Sequence, residues 1–170
     1  MFIKPAIFLA LGLSVLSVQA DSPLKQLGDR LVGNWTEEGI RASDYTGISV
    51  KGESFTITVS CRWSAGQVAL LCEGGDSRVG WLNFYWWDAG SKQVRFISVN
   101  SGGNSYMGTI AIQGKKHVWV STGTLADGRP VEYSGETLFE NNGETRTDLC
   151  ANVIDGVRSE FRDTYKRVRE

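Results

Sequence analysis

Phe55-Thr56-Ile57-Thr58-Val59-Ser60-Cys61-Arg62-Trp63 is the stretch that decides the fold class. Its odd positions are apolar and its even positions polar. A helix would scatter the two kinds of residue around its axis. A strand puts each kind on its own face, one dry and one wet. The same period of two recurs far away. Val157, Ser159, Phe161, Asp163 and Tyr165 share one face of a second run, and Arg158, Glu160, Arg162, Thr164 and Lys166 share the other. Tyr106, Gly108, Ile110 and Ile112 make a third such face. Segments 34–40, 67–73, 79–88, 93–100, 117–125, 131–139 and 145–153 are rich in Val, Ile, Thr and aromatics and read as further strands.

These segments number about ten, and short turns join many of them, including Asp88-Ala89-Gly90, Asp127-Gly128 and Asp155-Gly156. Sequential hairpins with one polar face predict an all-β fold. The expected form is an up-and-down antiparallel β-barrel of about 8–10 strands, because closure removes exposed edges. A two-sheet sandwich is the alternative, with longer crossovers. One short helix precedes the strands. Ser22-Pro23 supplies an N-cap and a first-turn proline, Leu24, Leu27 and Leu31 follow at helical spacing, and Gly33 ends it.

The first twenty residues read as a secretory signal peptide. Lys4 precedes an apolar run from Ala6 to Val18, and Val18-Gln19-Ala20 is a small-x-small cleavage site. The expected organisation is a leader over 1–20 and one barrel domain over 21–170, in the periplasm or secreted. Without Lys4 the chain carries 17 basic and 19 acidic residues and no basic patch. Neither nucleic acid nor stable membrane insertion is expected.

Three cysteines, Cys61, Cys72 and Cys150, allow at most one internal bridge. Cys61 and Cys72 flank the turn Ser64-Ala65-Gly66-Gln67 and share a face there, so Cys61–Cys72 is the favoured disulfide. A pairing with Cys150 is the alternative.

The stretch Trp81-Leu82-Asn83-Phe84-Tyr85-Trp86-Trp87-Asp88 carries rings on both faces. Trp81, Asn83, Tyr85 and Trp87 mix rings with polar groups, and Leu82, Phe84 and Trp86 are purely apolar. In one reading the mixed set lines a cavity, and Phe84 and Trp86 meet a covering helix or a second copy. In the other, Phe84 and Trp86 fill the core and the mixed set is an exposed strip for a partner. The outer rings could then pair two copies into a homodimer.

Asp163 and Ser159 interrupt an apolar face. A buried carboxylate needs partners, and Arg167 four residues on, Tyr133 or a ligand amine are the candidates. His117 follows Lys115-Lys116 and reads as a solvated turn residue. A single histidine excludes a multi-histidine metal centre, and Glu37-Glu38 and Asp127 offer no convincing acid–base pair. No metal, cofactor or catalytic residue is expected.

Leu31-Val32-Gly33-Asn34-Trp35, after the leucine helix, resembles the Gly-x-Trp start of lipocalin-like (calycin) barrels. The chain is also similar to a group of bacterial secreted proteins of uncharacterised function, through Tyr85-Trp86-Trp87-Asp88 and the run from Ile154 to Arg167. The resemblance implies a helix closing one end of the barrel, structural roles for Gly33 and Trp35, and an arginine from the last strand lying on the Trp35 ring. Arg167 has the right parity and Arg169 is second. It further implies binding of a small hydrophobic or amphipathic molecule. Trp63, Trp81, Tyr85 and Trp87 would line the cavity with Tyr106, Trp119, Phe161 and Tyr165, and Asn83, Ser159 and Asp163 would orient the ligand. Two other classes remain. One is a protein-binding module, an inhibitor or envelope assembly partner, using exposed aromatics. The other is a small-metabolite enzyme seeded by Asp163.

Overall fold

Ser22 opens helix α1 (Pro23–Leu31) as an N-cap, its hydroxyl accepting the Lys25 N–H at 3.2 Å. Leu24, Leu27 and Leu31 form its buried stripe. The computed structural model describes residues 22–41 and 51–169, so the expected leader over 1–20 lies outside the described residues.

Ten strands follow: β1 (Gly33–Ile40), β2 (Ser54–Trp63), β3 (Ala69–Gly75), β4 (Gly80–Asp88), β5 (Gln93–Asn100), β6 (Ser105–Gln113), β7 (Lys116–Thr124), β8 (Pro130–Glu140), β9 (Thr145–Ile154) and β10 (Val157–Val168). Each pairs antiparallel with the next, and β1 also pairs with β10. The sheet therefore closes on itself as a single barrel, and the sandwich alternative does not occur. An all-antiparallel closed barrel with one short helix is compatible with a lipocalin-like architecture.

Helix α1 covers the end where β1 starts. Its leucines pack into the core with Trp35, Val59, Leu70 and Val94. The approach is close enough that a Cβ on Gly28 would lie 2.0 Å from the Trp63 ring. Only glycine lets the helix seat there.

The closing seam is unequal along its length. β1 and β10 pair through Asn34–Val168, Trp35–Arg167 and Thr36–Lys166. Beyond Thr36, β1 continues on β2 alone as far as Ile40–Ser54. β10 continues on β9 alone down to Val157–Ile154. Arg158, Glu160 and Arg162 project outward along this free part of β10 and are exposed. Charges of this kind protect an open strand edge.

Register decides the question posed by β4. Trp81 faces Gly74, Asn83 faces Cys72 and Tyr85 faces Leu70. Cys72 and Leu70 are core residues, so the mixed set Trp81, Asn83, Tyr85 and Trp87 points inward. Phe84 and Trp86 point outward, their ring centroids 5.7 Å apart. With Val68, Ala69 and Ile97 they line a shallow external groove of about 500 Å³. Among the described residues no helix covers these rings, α1 being held at the barrel end.

Two local readings are corrected. The third strand starts at Ala69 rather than 67, because Ala65–Gln67 form a 3-10 turn with Gln67 at φ 55°. His117 is not a solvated turn residue. Gly114 at φ 59° allows a two-residue turn at Gly114-Lys115, so β7 already begins at Lys116. His117 then faces Ile112, points inward and packs on Phe139 with centroids 5.0 Å apart.

Candidate functional site

The inner wall follows from the same parity. Four inward aromatics stand directly across from an inward glycine: Phe55 from Gly39, Trp81 from Gly74, Tyr106 from Gly123 and Trp119 from Gly135. In each pair the ring covers the glycine. A Cβ on the glycine would come within 2.8 Å of Phe55, 2.7 Å of Trp81, 2.7 Å of Tyr106 and 2.4 Å of Trp119. None of these four glycines has a positive φ. At Gly39 and Gly74 the ring supplies the closest atoms, whereas at Gly123 and Gly135 the carbonyl oxygens of Ser105, at 2.1 Å, and Leu149, at 2.5 Å, exclude a Cβ as well.

These rings sit on the inner wall with other inward side chains. Several inward residues keep contact with solvent: Trp81, Asn83, Tyr106, Trp119, Tyr133 and Asp163 are partly exposed, and Phe161 is 39% exposed. Tyr133 joins the rings of the upper wall, with centroids 5.6 Å from Tyr106, 4.9 Å from Trp119 and 5.8 Å from Phe161.

The expected lining residues therefore divide between two levels. Trp81, Tyr106, Trp119 and Phe161 lie in the half away from the helix. Ser159 is exposed on that side, across from Asn152. Trp63, Trp87 and Tyr165 lie at the helix-covered end, where Trp63 meets Gly28 and Tyr165 is buried under Arg146. Asn83 and Tyr85 sit between. Tyr85 pairs with Phe96, and burial raises its phenol to about 12.

Cys61 and Cys72 are opposite each other in register, joined by a disulfide on the inner wall. Cys150 is free and buried on β9. Burial raises its thiol well above the usual value, so it is not poised as a nucleophile. Arg167 lies 4.2 Å from the centre of the Trp35 ring. Arg169 instead reaches Glu144 on the outside.

Between the two levels lies a charged band that the sequence reading did not assemble. Asp148 and Asp163 face each other across β9 and β10. Arg146 donates to both carboxylate oxygens of Asp148, from Nε at 3.0 and 3.2 Å and from Nη2. Thr137 donates its hydroxyl to Asp148 at 2.7 Å. The guanidinium of Arg146 also lies 4.5 Å over the Tyr165 ring. Burial opposes its charge, but Asp148 holds its pKa above the ordinary value.

Glu37 enters this band from β1, where the ladder with β10 stops. Its Oε1 accepts the Thr164 N–H at 3.0 Å, bridging the seam. Its Oε2 is buried and makes no hydrogen bond of normal geometry among the described residues. Asp163, the neighbour of Thr164, is not held by Arg167, one of the three partners considered for it. Arg167 is committed to Val32, Arg30 and Gly143 carbonyls. Burial raises Asp163 to about 7, and the charges of Glu37 and Asp148 add to this. Burial likewise raises Glu37.

Parity from Trp35 could have placed Glu37 inside. Arg146 and Asp148 were harder. On β9 the purer apolar set, Thr147, Leu149, Ala151 and Val153, faces out, and the polar set faces in. Among the described residues, no group of three or more His, Cys, Asp or Glu is arranged to hold a metal ion.

The geometry defines a closed antiparallel barrel whose inner wall combines flat-lying rings with a carboxylate-rich band. Compared with known proteins, the chain matches no family model and no curated sequence.

Proposed function

We propose that this is a lipocalin-like binding protein, acting in the periplasm or outside the cell, that holds a small amphipathic molecule within its barrel. The observation that carries the reading is the set of four rings lying on cross-strand glycines. Glycine in a strand interior is unfavourable. Four of them under four rings hold those side chains against the wall, which supports a reading in which the axis receives a ligand. Rings then supply apolar contact area, and the inward polar groups supply orientation. No reaction is assigned to the site.

Native mass spectrometry of protein purified from its own compartment tests this. The expected result is a reproducible small-molecule adduct that Trp119→Ala weakens or abolishes. An adduct-free protein that also takes up no ligand would defeat the reading.

A second reading rests on the outside of β4 and β5. Phe84, Trp86, Ile97 and the 65% exposed Val68 leave an apolar groove that suits a protein partner or a second copy. Sedimentation across a concentration series, with Trp86→Ser as the comparison, distinguishes a dimer from a monomer.

A further inference from the structure

We propose that the ligand of the lumen carries a positively charged nitrogen, received by the carboxylates of Glu37 and Asp163 where β1 and β10 part. This rests on the binding reading above and adds the chemical class of the ligand.

The charge balance of the band points this way. Three carboxylates, Glu37, Asp148 and Asp163, face inward, and Arg146 is the guanidinium that hydrogen-bonds within the band, since Arg167 on the same face is committed to backbone carbonyls. The Arg146 guanidinium is consumed by Asp148 through three hydrogen bonds. Arg41 stands at the rim but is paired with Asp76 and lies over Phe55, 4.3 Å from its centre. Glu37 and Asp163 are thus left without a cation among the described residues. Glu37 is only 7% exposed, yet its Oε2 makes no hydrogen bond of normal geometry, although the Tyr165 hydroxyl lies near enough to favour the carboxylate. A buried carboxylate oxygen without a good hydrogen bond is costly and rare. Asp163 has no hydrogen-bond donor among the described residues and keeps contact with the lumen. An ammonium has donors in several directions and could serve both acids.

The rings support the same chemistry. Phe161 is two residues from Asp163 on the same face, and Tyr133 and Trp119 adjoin it. Aromatic faces attract cations, by about 0.5–2 kcal/mol each. An anionic ligand would meet uncompensated negative charge. A neutral one would leave the acids unpaired.

Groups facing Asp163 set how binding responds to pH. They are Glu37 and Arg41 near β1, Asp148 and Arg146 on β9, and Tyr133 on β8. Glu37 and Asp148 oppose its ionisation, and Arg146 and Arg41 favour it. Binding of an amine should therefore weaken as pH falls below about 7, where Asp163 takes up its proton.

Isothermal titration with three compounds sharing one ring system tests the inference: tryptamine (cation), tryptophol (neutral) and indole-3-propionate (anion), at about pH 8 where the acids are ionised. Tryptamine should bind about tenfold or more tighter than tryptophol, with the anion weakest. Glu37→Gln keeps an acceptor for the Thr164 N–H, and Asp163→Asn removes a buried charge. Each should reduce the preference for tryptamine to about threefold or less, read as the ratio of tryptamine to tryptophol affinity within the same variant. If one variant fails to fold by circular dichroism, the other decides. Equal binding of tryptamine and tryptophol, or a preference that survives in both variants, overturns the inference and leaves the binding reading intact. No uptake of any of the three overturns it too, and the binding reading falls with it if the native protein also carries no adduct.

Discussion

Arg167 lies flat on Trp35, its guanidinium carbon 4.2 Å from the ring centre, and the two residues are direct partners across the β1–β10 ladder. Both side chains also reach the end of helix α1. Trp35 Nε1 donates to the Leu31 carbonyl at 2.8 Å, and Arg167 donates to the carbonyls of Val32 at 2.6 Å and Arg30 at 2.7 Å. The last carbonyls of a helix have no partners within it. Here one stacked pair supplies them, so barrel closure and helix docking share the same atoms.

Arg167→Met should therefore destabilise the protein by about 2–4 kcal/mol, through loss of the stacking and of three charge-assisted hydrogen bonds. Arg167→Lys should recover less than half, since an ammonium cannot match the planar fork. Urea unfolding at constant pH measures both.

Gly74→Ala should push the Trp81 ring off the wall and toward the axis, because its new Cβ would fall within 2.7 Å of that ring, which supplies its three nearest atoms. A loss of about 1–3 kcal/mol is expected. It should shrink in a Trp81→Ala background, where the clash is gone. A double-mutant cycle on unfolding free energy reads the coupling.

Asp163 and His117 should oppose each other in acid. Asp163 is raised to about 7 in the fold, so between about pH 4 and 7 the folded protein holds a proton that the unfolded chain has released. Stability contributed this way is present at low pH and lost as pH rises. Glu37, also raised, acts in the same direction. His117 is depressed to about 4, chiefly by burial and then by the charges of Arg30 and Arg146. Its contribution is present above about pH 6.5 and lost as pH falls toward 4. Each shift carries about 1.4 kcal/mol per pKa unit. Wild-type stability should change less between about pH 4 and 6.5 than in the His117→Leu variant, and should still fall somewhat as pH rises because Glu37 adds to Asp163. Asp163→Asn should be more stable than wild type above pH 7 and should weaken on acidification. His117→Leu should show the opposite slope. Unfolding midpoints across this range in all three proteins check the signs.

Removing the bridge with Cys61→Ala and Cys72→Ala should lower stability by about 2–3 kcal/mol, the chain-entropy value for a loop of this size. The sequence separation is 11, and both positions lie in the core, so some cavity cost adds to it. Thermal unfolding of the double variant, compared with the reduced wild type, separates the two terms.

Much of the architecture was legible because its causes are local. Alternation in Phe55–Trp63 is a property of nine consecutive residues, and Ser22-Pro23 caps a helix without help from elsewhere. Cys61 and Cys72 share a face for any connection that leaves an even number of residues unpaired between the two strands. Connections short enough for hairpins leave a meander few ways to bury one face, and closure is one of them.

The tertiary structure alone decided which face of β4 and β9 points inward. Parity divides a strand into two sets and does not say which is dry. On β4 the choice came from Cys72 and Leu70 across the ladder, and on β9 from Asp163 and Thr137 on its two neighbours. For the same reason the meeting of Glu37, Asp148 and Asp163 could not be read from the chain. They lie on three strands, Glu37 and Asp163 at a sequence separation of 126, and only barrel closure brings those strands round to one charged band.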